Sequence, residues 1–356
     1  MKIIEAKTIL KSCVGKIGIW ASNDRYRWQC WTRDFVIAVL PLLLERGLYL
    51  NIAKSHLNEM AKRQKPNGQI PILFIEKKLP WLFRKFMNAL VNFRMPFMLK
   101  RFFTIGGVAN LTPWTKDSEI LYCLGVALYY KKTGDMMFWE RHCQNIDKAI
   151  QYIQKNLMYG GLVFGGDWRD TKPEFSRTML LTNNCFLYQA YKLLGMSLEA
   201  EDLKKNIVNN FWTGTHFRDY VGTDRFDTLG NALAIIYELT SSEMNDLIIK
   251  QAMALNTDFG FKLNGVTLPP KDAVEAELMK RIEQDGVIWP FISGLMIIAF
   301  YQAGQMNLAR VEFDKWNQLP GFYEFYNPKN GQGHGSSDQL WSAVVYLRVA
   351  ETLRMM

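Results

Sequence analysis

Apolar residues recur along this chain with a helical period, in two alternating kinds of segment. One kind is apolar on nearly every side, and the kind that follows is amphipathic. Phe35–Arg46 is followed by Leu50–Arg63, and beyond Pro113 Ser118–Lys132 is followed by Met136–Asn156. Thr178–Gly195 precedes Ser197–Phe211, Thr228–Leu239 precedes Ser242–Leu255, and Trp289–Gly304 precedes Leu308–Asn317. Ile3–Ile19 reads as an opening helix and Asp338–Leu353 as a last apolar one. Gly134, Gly195 and Gly304 sit where helix C-caps belong. No stretch alternates with the period of a strand. Helices covered on all sides, alternating with helices covered on one face, are what a ring of hairpins produces. The pattern therefore predicts an all-α fold, an (α/α)6 toroidal barrel of six helical hairpins, with residues 1–356 as a single domain. In such a ring the loops at one end of the inner helices share a cavity.

Composition narrows the picture. With 356 residues, 49% of them hydrophobic, the chain can bury a large core. No apolar run reaches membrane-spanning length. Glu5 and Lys7 interrupt the N-terminal residues where a secretory signal would be continuously apolar. Five separated cysteines, Cys13, Cys30, Cys123, Cys143 and Cys185, contain no metal-type pair and read as reduced thiols. A cytoplasmic protein is the expectation. The net charge of +9 permits contact with anionic surfaces, but no nucleic-acid recognition module accompanies it. One segment departs from the pattern. Leu79–Phe103, within an insert at about 77–106, interleaves basic and large apolar residues. It reads as a lid or packing element, with peripheral membrane contact as the second reading. Oligomeric state does not follow from the sequence.

The candidate chemistry lies in four loops that each precede an apolar helix. The last, Gly321 to Gly333, holds Glu324 among Phe322, Tyr323, Phe325 and Tyr326. A carboxyl walled by rings has a raised pKa unless a partner or water compensates. Rings also cover the apolar faces of a pyranose while acids hold its hydroxyls. The first loop places Arg33 and Asp34 beside Trp28 and Trp31. Asp34 there either caps the helix or binds sugar hydroxyls. The second, Gly165-Gly166-Asp167-Trp168-Arg169-Asp170, sets two acids around an indole. One can pair with Arg169 while the other keeps a proton against Trp168. The third brings Trp289 and Pro290. Asp170 and Glu324 make a candidate carboxyl pair of the kind glycoside hydrolysis requires, with Asp167 the alternative acid. His334 shapes its loop or contacts ligand. Its companions His56, His142 and His216 lack helix-ligand spacing for a metal. Phosphate-binding, dinucleotide and Ser-nucleophile motifs are missing from the sequence.

Five stretches in order then resemble the six-hairpin glycosidases, and most closely the alkaline/neutral invertase family. They are Trp31-Thr32-Arg33-Asp34-Phe35, Asp117-Ser118-Glu119 running to Thr133-Gly134-Asp135, Arg225-Phe226-Asp227-Thr228-Leu229-Gly230-Asn231, Trp289-Pro290, and Tyr323-Glu324-Phe325-Tyr326 with Lys329-Asn330-Gly331. The Trp168-Arg169-Asp170 stretch is instead closer to the α-glucosidase and glycogen-debranching branches, and the Asn327-Pro328 ending to processing α-glucosidases. The resemblance implies an inverting hydrolase of a small α-glucoside or sucrose-like sugar, working without a cofactor. By position it implies Asp170 as general acid, Glu324 as general base and Asp34 as a hydroxyl binder. Arg33 would help hold the sugar, and Trp28, Trp31, Trp168, Trp289 and Tyr323 would wall it. The competing expectation is a non-catalytic sugar-binding or membrane-associated protein on the same scaffold. Hairpin barrels also host lyases and cyclases, so the fold alone does not name a reaction.

Overall fold

The structure, a computed structural model, describes residues 2–76, 114–170, 172–265 and 285–355. Leu79–Phe103 lies outside the described residues. Among those described, six inner helical segments form a closed ring. The first is a π-helical turn, Asp34–Val39, that continues as α2, Leu40–Arg46. The others are α4 Ser118–Thr133, α6 Leu181–Leu194, α8 Thr228–Ile236, α10 Pro290–Gln302 and α12 Leu340–Thr352. Each packs on the next, and α12 packs back against the Asp34 segment to close the circle.

The outer layer is α1 Lys2–Cys13, α3 Leu50–Lys62, α5 Met136–Asn156, α7 Ser197–Phe211, α9 Ser242–Met253 and α11 Met306–Gln318. Burial follows sequence pattern directly. Every residue of α10 from Pro290 to Phe300 is buried, whereas α5 buries only Phe138, His142, Ile146, Ala149, Ile150 and Ile153. Those six fall at i, i+4, i+8, i+11, i+12 and i+15, which is one face of a helix. Gly134 and Gly195 end α4 and α6 in the left-handed conformation a Cβ would disfavour. Asp135 and Asp227 cap α5 and α8, accepting from the N–H groups of Phe138 and Gly230.

The structure corrects the sequence reading in three places. The opening helix stops at Cys13, and residues 14–19 turn back through a Val14–Ile19 bridge rather than extending the helix to Ile19. Four two-stranded antiparallel ribbons join the helices: Gln29–Trp31 with Leu73–Ile75, Met158–Tyr159 with Leu162–Val163, Asn256–Thr257 with Gly260–Phe261, and Phe325–Tyr326 with Gly333–His334. Strands of two or three residues are too short to show a period of two. Finally, Asp34 does not cap its helix, because Arg33 before it is already helical (φ −69°, ψ −49°).

Candidate active site

The inner helices all start at the same end of the ring, and the loops that feed them meet there over a small cavity of about 40 Å³. Arg33 and Asp34 enter it at the first inner segment, Trp168 and Asp170 from the loop leading to α6, and Trp289 as the residue before α10. Glu324 and Gln339 come from the chain leading into α12, Trp341 from its first turn, and Ala21, Tyr26 and Trp31 from the first loop. Three carboxyl groups, those of Asp34, Asp170 and Glu324, therefore share one small space.

The floor is aromatic. Trp168 meets Trp289 edge-to-face at 5.0 Å, and Trp341 meets Trp289 at 5.5 Å and Trp168 at 6.1 Å. Trp341 also stacks on Phe291 at 4.2 Å. Edge-to-face packing fixes the orientation of each ring. The cavity wall is thus rigid and apolar around its acids.

Each carboxyl group has a distinct setting. Glu324 accepts the hydroxyl of Tyr26 at 2.9 Å on Oε1 and the Ser336 N–H at 3.1 Å on Oε2, with Arg25 Nη1 3.4 Å from Oε2. Three donors from two separate segments thus surround this carboxylate. Asp170 stands 3.7 Å from Arg33 Nη1. Arg33 is itself anchored by Asp117, at 3.2 and 3.3 Å, and donates to the Trp168 carbonyl at 2.9 Å. One buried guanidinium thus fixes the loop that carries Asp170. Asp34 accepts Gln339 Nε2 at 3.3 Å. Burial pushes its carboxyl up to about 7; the charges of Glu324 and Asp170 add to this and Arg33 opposes it.

That shift makes a stability prediction. A carboxyl whose folded-state value lies above its ordinary value of about 3.9 binds its proton more tightly in the folded chain. Its favourable contribution is complete at low pH and is lost as pH rises from about 4 through about 7. Asp34→Asn is expected to raise the melting temperature at pH 8 and to leave it nearly unchanged at pH 4. Equal shifts at both pH values in calorimetry would contradict a buried, repelled carboxyl at this position.

Not every residue singled out in the sequence reaches the cavity. Asp167 is fully buried on the far side of its loop and is taken up by Arg169, which donates to both its oxygens at 3.0 and 2.8 Å. It lies in the framework rather than against ligand. Trp28, in a left-handed conformation (φ 65°), sits under the Arg27 guanidinium at 5.1 Å and outside the cavity lining. Tyr323 turns beneath Gly333 and packs on Tyr326. His334 stacks parallel on Phe325 at 5.5 Å and shapes the ribbon. Conversely, Tyr26, Gln339 and Trp341 reach the cavity without having been singled out. All three lie at the seam where the first and last hairpins meet. No local pattern marks them.

No family model and no curated protein sequence matches this chain. Solved structures do. The chain superposes on one described as "Glycosidase Wild Type" with a TM-score of 0.71 and 14% identity, covering 100% of this chain and 96% of the other. It is similar to the GH63 mannosylglycerate hydrolase from Thermus thermophilus in complex with Tris and D-glycerate, with a TM-score of 0.67, 13% identity, and 98% and 99% of the two chains covered. The glucose complex of that hydrolase gives a TM-score of 0.68 at 13% identity, with 100% of both chains covered. At such identities the likeness establishes the architecture alone: the described residues form an all-α toroid like that of these solved glycosidases.

Proposed function

We propose that the protein is a glycoside hydrolase that acts on a small glycoside with inversion of configuration. The observation that carries this reading is the convergence of Asp170 and Glu324, 154 residues apart in sequence, on one aromatic-walled cavity. Glycosidases need an acid and a base on opposite sides of the scissile bond, about 6.5–9.5 Å apart when a water must fit between them. Asp170 gives its proton to the glycosidic oxygen as the bond to the anomeric carbon breaks. Glu324 takes a proton from a water whose oxygen forms the new bond to that carbon from the other face. Both carboxyl groups then return to their starting forms by exchange with solvent. Asp34 and Arg33 hold sugar hydroxyls, and Trp31, Trp168 and Trp289 cover the ring faces.

The sugar follows from two sources of unequal reach. The sequence motifs resemble the alkaline/neutral invertases, which favours sucrose or another small α-glucoside. Among the structural neighbours is a mannosylglycerate hydrolase, which adds a sugar linked to glycerate as a second substrate class. Proton NMR of the full chain with sucrose, maltose, isomaltose, trehalose and mannosylglycerate separates them. We expect one substrate to release its sugar first as the anomer opposite to the bond cleaved. Release of the retained anomer rejects the inverting assignment. Binding without turnover of any glycoside rejects hydrolysis and leaves a sugar-binding protein.

A further inference from the structure

We infer that Asp24 is a positioning residue for Glu324, a strap that closes the ring at its seam and sets the orientation of the carboxylate. This rests on the hydrolase reading for its kinetic consequence but not for its geometry. Asp24 lies in the first loop, and its oxygens accept three hydrogen bonds from the far end of the chain. Oδ1 accepts the Ser336 hydroxyl at 2.5 Å; Oδ2 accepts the Ser337 N–H at 2.9 Å and the Ser337 hydroxyl at 3.1 Å. Ser336 is in turn bonded to Glu324 through both backbone groups. Its N–H donates to Oε2 at 3.1 Å, and its carbonyl accepts the Glu324 N–H at 2.8 Å. Asp24 therefore holds the peptide that holds the carboxylate.

The same short segment delivers the other two contacts. Arg25 and Tyr26 follow Asp24 directly, and both reach Glu324. Tyr26 is fixed from behind, its N–H donating to Ser22 Oγ at 2.8 Å, and Ser22 bridges to Gln339. Fixing Asp24 against residues 336–337 thus places three donors on one carboxylate. The approach is close enough that the intervening Gly335 (φ +78°) has no room for a side chain: a Cβ there would lie 2.4 Å from Glu324 Oε2. Although burial opposes it, hydrogen bonds from Ser336, Ser22, Ser337 and Arg25 hold the Asp24 carboxyl below its usual range. The strap is anionic across any working pH. The titratable and charged groups around Glu324 include Arg25 and Tyr26 from this segment, Arg33 and Asp34 at the first inner helix and Asp170 across the cavity.

Donors to the ionised form of a carboxyl favour that form, and misplacing a reacting group by about 1 Å can cost about a hundredfold in rate. Asp24→Ala is therefore expected to lower kcat by about a hundredfold with KM little changed, and to move the acidic limb of the pH–rate profile to higher pH. Asp24→Asn keeps an acceptor and a donor in place. It should recover to within about tenfold of wild type, neutral bonds being roughly half as strong as charge-assisted ones. A purely structural role would lower the melting temperature of both variants and leave the pH limb of the folded enzyme where it was. That outcome overturns the inference.

A second measurement needs no turnover. Carboxyl-carbon NMR of glutamate-labelled full chain, with Glu324→Gln to assign the signal, should show Glu324 titrating at higher pH in Asp24→Ala than in wild type. An unmoved titration overturns the strap even in an active enzyme. A moved titration in a protein that turns over no glycoside supports the strap and rejects the hydrolase reading instead.

Discussion

Glu324→Gln and Asp170→Asn are each expected to lower turnover by at least about a hundredfold while the chain still folds, since general acid or base catalysis contributes about a hundred- to ten-thousandfold. The substitutions keep shape and remove only the titrating group. In Glu324→Gln the amide oxygen can still accept from the Ser336 N–H and the Tyr26 hydroxyl, but the side chain cannot take a proton from water. In Asp170→Asn the amide can still sit beside Arg33, yet it has no acidic proton to give to a leaving oxygen. The two variants should differ in a diagnostic way. A substrate with an activated leaving group does not need an acid, so it should restore much of the loss in Asp170→Asn and none in Glu324→Gln. Azide, which needs no base, should do the reverse. Near-wild-type kcat in either variant, measured on the substrate identified by NMR, rejects that residue's role. Asp167→Asn is the control. Asp167 sits on the buried side of the same loop, bonded to Arg169, so its loss should be one of stability.

Much of this arrangement was legible in the sequence, and the physical reasons differ from residue to residue. The ring was legible because burial on all sides or on one face writes itself into composition, as Pro290–Phe300 and α5 show. The loops of Asp170 and Glu324 were legible because aromatic residues beside acids in a Gly- and Pro-rich stretch are poor candidates for a solvated turn. Within Asp167-Trp168-Arg169-Asp170 the sequence indicates that one acid pairs with Arg169 and leaves Asp167 as the alternative to Asp170; the structure gives the Arg169 pairing to Asp167. Alternate residues of this irregular segment face opposite ways: Trp168 and Asp170 line the cavity, while Asp167 and Arg169 pair in the interior. A period of two, sought in that loop, separates the two acids. Asp24, Tyr26 and Gln339 carried no such signal. Their partners lie 298 to 313 residues away, and only closure of the ring brings them together.

Arg169→Met is expected to destabilise the fold by about 3–5 kcal/mol, the usual cost of stranding a buried charge. Arg169 is completely buried and donates to Asp167 on one side and to Asp219, at 2.9 and 2.8 Å, on the other. Asp219 also accepts Arg225 Nε at 3.0 Å, so it keeps one cation when Arg169 is lost; Asp167 keeps none from this network. Against the total stability of an ordinary domain, about 5–15 kcal/mol, this is a large fraction. The pH dependence follows from the sign of the shift at Asp219. Burial opposes ionisation there, but Arg169 and Arg225 together hold its carboxyl below the ordinary value. A depressed carboxyl contributes stability that is present above its unfolded value of about 3.9 and is lost as pH falls through its folded one. The wild type should therefore lose this contribution in acid. In Arg169→Met it is already reduced, so the gap between the two melting temperatures should be widest near neutral pH and should narrow below about pH 4. Adding Asp167→Asn to Arg169→Met removes the stranded charge and should recover part of the loss, a coupling that a double-mutant cycle reads directly. A melting temperature for Arg169→Met equal to wild type at pH 7 would show that the pair beneath the loop is not what holds it. Asp170 would then owe its position over the aromatic floor to Arg33, which lies 3.7 Å from its carboxyl and donates to the Trp168 carbonyl.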